Sequence, residues 1–479
     1  MISFLKSYKN TLIWFVLAGV LGGYLSYIFF YSEDKTAILP GTTTNGHHQI
    51  EQQCDVCHTN EKKKNVFTSS GVPNSACTNC HGEDLENFSD SHPTRKFKNP
   101  ENAIFTQHID ALSCVECHSE HNAKITENMG VTIPEDFCAH CHEVTLENLE
   151  SHQTLAFNTC DASGCHNYHD NVALAPGFLL KQFNVADHKE VKIRPTGDLL
   201  DRMAEEGIRL KDPLTASQAN APADKLEDGT HLDDWDHSAH ARAGVNCMDC
   251  HTDRRNAPGV AWIENPTHKT CAKCHDVETE DFYKGKHGMR LKEDLSPMTP
   301  AMARIAMHTD AAHQELDCNS CHTSHRYDRE FASYQACIQC HDDEHTQNYE
   351  KSKHFKAWKS EIKHASPTGS GVSCATCHMP TVERGGSLVV NHNQSENLTP
   401  NEKMLKNTCL HCHGAEFAMS ALADENLIQK NFFGEPERRH PGVSWAVEAA
   451  VKRGHEAEEE MKAYLEAFKD NEVIEYNQR

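Results

Sequence analysis

The pentapeptide Cys-x-x-Cys-His recurs ten times along these 479 residues, and an eleventh copy is widened to four intervening residues. The regular copies are Cys54-Cys57-His58, Cys77-Cys80-His81, Cys114-Cys117-His118, Cys138-Cys141-His142, Cys247-Cys250-His251, Cys271-Cys274-His275, Cys318-Cys321-His322, Cys337-Cys340-His341, Cys374-Cys377-His378 and Cys409-Cys412-His413. The wide copy is Cys160-Cys165-His166, and together the sites use all 22 cysteines. Composition alone predicts about 0.07 such pentapeptides, so the chain is built around the repeat. Five sites occupy residues 54–166 and six occupy 247–413, with no cysteine over 167–246. A site about every 23 residues in the first group and every 28 in the second leaves segments too short to bury a side-chain core. Aromatic residues are only 7% of the chain, so something other than side chains has to fill the interior.

Two thiols separated by two residues and followed at once by histidine form the attachment signal for haem c (heme c). The thiols add to the porphyrin vinyl groups, and the histidine reaches the iron as proximal ligand. Zinc ribbons need paired Cys-x-x-Cys motifs with no fixed histidine, and thioredoxin-type sites use one motif. A disulfide framework staples distant segments, whereas these cysteines are paired locally. The wide site needs a bulged loop, yet keeps its place in the series and its histidine. Eleven covalent haem c groups are therefore expected, in a fold that is mainly α with extensive irregular loops and a haem-packed core.

Eleven proximal histidines leave 24 of the 35 for other roles. Four follow a proximal histidine by three or four residues: His121, His169, His325 and His345. Such a residue cannot reach the far side of its own iron, because the porphyrin plane intervenes, but it can ligate a neighbour's. Sharing of this kind forces adjacent haems close together. Further distal candidates are His92, His108, His152, His240, His268, His287, His313, His354, His364 and His392.

Residues 12–30 are uncharged and apolar over about the length that crosses a hydrocarbon core. Lys6 and Lys9 precede them, which keeps the N-terminus cytoplasmic and puts the bulk of the chain in the periplasm. The segment is longer than a signal-peptide core, and no A-x-A site follows, so a retained single-pass anchor in the inner membrane is favoured over cleavage. The expected organisation is a cytoplasmic N-terminus and anchor at 1–31 and a tether at 32–50. A pentahaem domain at 51–172, a linker with a helix at 173–235, a hexahaem domain at 236–420 and a helical C-terminal region at 421–479 follow. In that last region 443–468 reads as a long amphipathic helix, suited to packing on its own domain or between subunits of a homo-oligomer. The formal charge of −24 argues against nucleic acid and suits basic redox proteins, with a quinol oxidase-type donor as an expected partner.

The motifs SCVECHSEH and FCAHCH resemble the small class III multihaem cytochromes, over residues 50–170. The runs HFKAWKSEIKHASPTGSGVSCATCHMP and NHNQSENLTPNEKMLKNTCLHCHG resemble the last two haem sites of a larger superfamily. It joins the pentahaem ammonia-forming nitrite reductases and the octahaem hydroxylamine oxidoreductases. That resemblance covers 240–420, most strongly 350–415. It implies a catalytic role for His354, with His364 as a distal ligand, and a catalytic haem fifth from the end, at Cys271, Cys274 and His275. Nitrite reductases have lysine as proximal ligand there, so His275 is a departure. Hydroxylamine oxidoreductases keep histidine but cross-link the haem to a neighbour's C-terminal tyrosine, for which Tyr464 and Tyr476 are in the right region. Where nitrite reductases place a catalytic tyrosine, this chain has Asp343, Glu344 and His345.

Two functions follow. One is a dedicated electron carrier of anaerobic-type respiration whose irons all have two histidine ligands. The other is a fused oxidoreductase for a small nitrogen or sulfur compound. That enzyme would have one open iron at His275, facing His354, His345 and Arg254 or Arg255.

Overall fold

A computed structural model describes residues 2–32, 34–59, 72–86, 113–126, 132–134, 137, 181–183, 211–227, 229–252, 261–367, 369–384, 387–398 and 401–437. Nine of the eleven attachment sites lie within them. The sites at Cys138 and Cys160, the histidines His92, His108, His152 and His169, and Arg254, Arg255, Tyr464 and Tyr476 lie outside the described residues, as do the proposed C-terminal helix and most of the linker helix.

The architecture is mainly helical and the helices are short. The exception is α1 (Ile2–Phe30), within which Thr11–Phe30 is long and apolar enough to cross a membrane. Its large side chains, among them Trp14, Phe15 and Phe30, are exposed. Among the described residues the remaining helices of eight or more residues are α2 (Asn74–Glu86), α3 (Gly229–Asp236), α4 (Asp276–Lys284), α5 (Lys353–Ile362) and α6 (Ala415–Leu422).

Most other helical pieces are single turns made by the attachment motifs themselves, as at Cys54–Cys57, Cys114–Cys117 and Cys318–Cys321. In each, the histidine N–H donates to the carbonyl of the first cysteine, at 2.8 Å for His58 and 2.9 Å for His118, His275, His322 and His413. That bond closes one turn and puts both thiols and the imidazole beside each other. The turns begin at side-chain caps where the sequence supplies them. Asp317 accepts from the N–H groups of Asn319 and Ser320, and Ser373 from that of Thr376.

One antiparallel hairpin is described, β1 (Thr381–Arg384) with β2 (Ser387–Val390), in register Thr381 to Val390 and Arg384 to Ser387. It returns the chain from the Cys374 turn to Asn391, whose N–H donates to Pro380 O at 3.0 Å.

A compact side-chain core is formed by Tyr334, Tyr349 and Trp358, with Phe355, Ile338 and Ile362 packed on it. The aromatic rings lie 5.1 to 5.9 Å apart. Helix α5 starts at Ser352, whose hydroxyl accepts from Phe355 N–H, and its Glu361 carboxylate accepts from Gly371 N–H at 2.6 Å.

Candidate metal centres

Eight described proximal histidines each face a second histidine ring. The pairs are His58 with His121, His81 with His47, His251 with His325 and His275 with His240. The others are His322 with His392, His341 with His287, His378 with His345 and His413 with His354. The ring centroids lie between 5.9 and 6.4 Å apart in every pair. A metal–imidazole bond is roughly 2 Å long and each ring adds about 1 Å to its centre, so two imidazoles on one iron stand about 6 Å apart. These pairs are too far apart to be ring stacking and have the spacing of two axial ligands. Among the described residues no three His, Cys, Asp or Glu side chains converge on a point, so the donors come as opposed pairs and not as zinc-like clusters.

At four of these rings the proton balance fits ligation by neutral imidazole, whereas the carboxylates of Glu120 and Glu278 raise the pKa of His47 and His275. Burial holds His287, His322, His354 and His378 down at about 4, so each presents a lone pair at neutral pH. Burial pushes the thiols of Cys321, Cys377 and Cys409 up to about 12. The described cysteines form no disulfides, which leaves them available for thioether attachment.

Three of the distal rings follow a proximal histidine in sequence and face a different one. His121 faces His58, His325 faces His251, and His345 faces His378. The hairpin delivers His392 to His322, and His392 Nδ1 is fixed 2.8 Å from Val390 O. Helix α5 carries His354 in its first turn and sets it across from His413. His287 follows α4 and reaches His341. His345 sits on the turn capped by Asp343, which accepts from Thr346 N–H at 3.1 Å.

Three other candidates are placed differently. His313 and His364 are exposed, and His364 ends α5 with a φ of 56°, its N–H on Glu361 O at 2.8 Å. His268 is buried edge-on to Tyr283, 5.7 Å between centroids. Sequence reasoning passed over His47. Its signal was weak: a Gly-His-His just ahead of the first motif, with nothing to choose between His47 and His48.

The sites follow one another in space as they do in the chain. The cysteines Cys77 and Cys114 lie close together, as do Cys271 and Cys318, and Cys337 and Cys374. Cys57 is likewise near Cys80, Cys250 near Cys271, Cys321 near Cys337, and Cys377 near Cys409.

Comparison with known families agrees with this geometry. A family model for cytochrome c3 matches residues 46–143, one for cytochrome c554 and c-prime matches 270–335, and one for cytochrome c552 matches 351–472. The chain is a multihaem cytochrome c. Its domains carry covalent haem c, and such domains transfer electrons. The cytochrome c3 match falls on the segment whose motifs resemble class III cytochromes. The cytochrome c552 match overlaps the 350–415 stretch where the wider resemblance is strongest.

Proposed function

We propose that this multihaem cytochrome is a dedicated electron carrier with eleven covalent haems, anchored by α1 to the inner membrane and facing the periplasm. Haem c, once bound, supplies an iron that cycles between ferric and ferrous states. The chain's part is to hold and space those groups. The cysteine pairs would hold each porphyrin, and the opposed imidazoles would supply two nitrogen ligands to its iron. The contact between successive attachment turns keeps neighbouring groups within electron-transfer reach. The observation that carries this reading is the set of eight histidine pairs at one common spacing.

A retained α1 accounts for the exposed apolar side chains of Thr11–Phe30, which a bilayer would cover. Quinol-linked donors at the membrane and soluble acceptors beyond it are the fitting partners. The division into a pentahaem and a hexahaem domain, and a homo-oligomer joined through the C-terminal region, belong to the same proposal.

A fused oxidoreductase is the second reading, favoured by the match to cytochrome c552. It requires an iron with a free coordination position. At His275, where the resemblance locates that iron, His240 stands 6.0 Å across. His354 and His345, the candidate catalytic residues, face His413 and His378. Both arrangements favour the carrier. EPR of the oxidised holoprotein, titrated with nitrite and then hydroxylamine, separates the two readings. The carrier gives only low-spin signals that ignore both compounds, and the enzyme gives a high-spin signal that responds.

A further inference from the structure

The CHSEH segment of the third attachment site reaches three sites at once. His118 is its own proximal ligand, and His121 lies across from His58. Between them, Glu120 points to a third place. Its Oε1 accepts from His47 Nδ1 at 2.7 Å, and His47 is the ring facing His81. The carboxylate is not a passing surface contact. Thr44 is buried, and its hydroxyl donates to Glu120 Oε2 at 2.8 Å while its N–H approaches the same oxygen at 3.4 Å. Both Glu120 oxygens are therefore engaged, and the side chain is held in one orientation.

No other described distal ring whose Nδ1 contact is seen uses an anion. His121, His392 and His345 turn Nδ1 to the carbonyls of Gly41, Val390 and Ile428. Carboxylates approach two proximal rings, Glu278 at His275 and Asp343 at His341, but only at 3.8 and 3.9 Å. The surroundings of the His47 site also differ. Residues 286–304 bring Arg290, Lys292 and Arg304 to it, with Lys292 also 3.6 Å from Glu280 and Arg304 3.9 Å from Glu51. Arg290 donates to Gln49 O at 3.1 Å, Arg304 to Asn45 Oδ1 at 3.0 Å, and Lys292 lies 3.4 Å from Asn79 O and 3.7 Å from Cys80 Sγ.

We propose that Glu120 is a positioning residue for the haem held by Cys77, Cys80 and His81, fixing His47 as an electron-rich axial ligand and lowering that haem's reduction potential. The inference rests on the reading of His47 as a distal ligand. The sign follows from charge. Ferric iron carries one more positive charge than ferrous, so a carboxylate hydrogen-bonded to the ligand favours the oxidised state. The cations of 286–304 act in the opposite direction, and Glu120 opposes them. Glu120, two residues past the proximal histidine of one attachment segment, thus tunes a haem held by another.

The test is potentiometry of the holoprotein, followed by visible absorption and EPR, on Glu120→Gln, Glu120→Asp and His47→Ala. Glu120→Gln keeps the full haem content, shifts one midpoint upward and changes the g values of one low-spin signal. Glu120→Asp restores part of the shift. Thr44→Val, which keeps the carboxylate but removes the hydroxyl orienting it, gives a smaller upward shift and serves if Glu120→Gln does not assemble. Unchanged midpoints and g values in the Glu120 and Thr44 variants overturn the proposal. His47→Ala separates the two claims: if it leaves every iron low-spin, the ligand reading has failed, whatever Glu120 does.

Discussion

At the residue scale, a histidine three or four residues past its own proximal partner faces the proximal histidine of another site, two sites back for His121 and His325 and the following site for His345. His325 is held in the left-handed region, at a φ of 67°, and its ring lies nearly parallel to that of His251, 8° between planes. His325→Ala is expected to turn the iron at His251 high-spin and leave that at His322 unaltered, as read by EPR and the visible spectrum of the oxidised protein. Ring orientation differs among sites. The planes are near parallel at His58–His121, 18°, and near perpendicular at His240–His275, 89°, and His345–His378, 86°. Parallel imidazoles split the iron d orbitals that perpendicular ones leave nearly degenerate, so low-spin EPR signals of two classes are expected. A single uniform signal would contradict the geometry. Gly41 is a further constraint, since a Cβ there would run into the His121 carbonyl. Gly41→Ala is expected to displace His121 and weaken ligation at His58, measured as loss of one low-spin signal. That His121, His325 and His345 would face another site's proximal histidine was legible in the sequence, because porphyrin geometry forbids their own iron. His47 was not legible, because a loop folding back over a site leaves no spacing rule.

Elements here are short for a physical reason. Single turns nucleate at the attachment motifs, where a cap and one i to i+4 bond suffice, and the chain between them has few apolar residues to bury. Where side chains do make a core, it anchors ligands. Trp358 is 2% exposed and packs on Tyr334 and Phe355 within α5, the helix that presents His354. Trp358→Ala is expected to cost about 3–5 kcal/mol, measured by denaturant unfolding, and to loosen the ligand pair at His413. The mainly helical, loop-rich class was legible from motif density. The hairpin delivering His392 was not, because its four-residue strands carry too little alternation to be distinguished from loop.

Across the whole molecule, the order of the sites and the meeting of their two groups are what the linear sequence withheld. Contacts between cysteines of successive motifs order the sites, and residues 286–304 join the N-terminal sites to the C-terminal ones. Gln49 also donates to Met302 O at 3.3 Å. These bonds link residues more than two hundred positions apart, and no local pattern encodes them. Arg290→Ala combined with Lys292→Ala is expected to slow electron equilibration between the two groups of haems, followed optically after flash reduction. An unchanged rate would place the transfer route elsewhere.

The account depends most on porphyrin being bonded at every cysteine pair. Mass spectrometry of the intact mature protein, with peptide mapping of each motif, tests it directly. The predicted result is eleven haem additions, including one on the wide pair Cys160 and Cys165. Unmodified cysteines at the mapped motifs, or a chain with only a few additions, would contradict it.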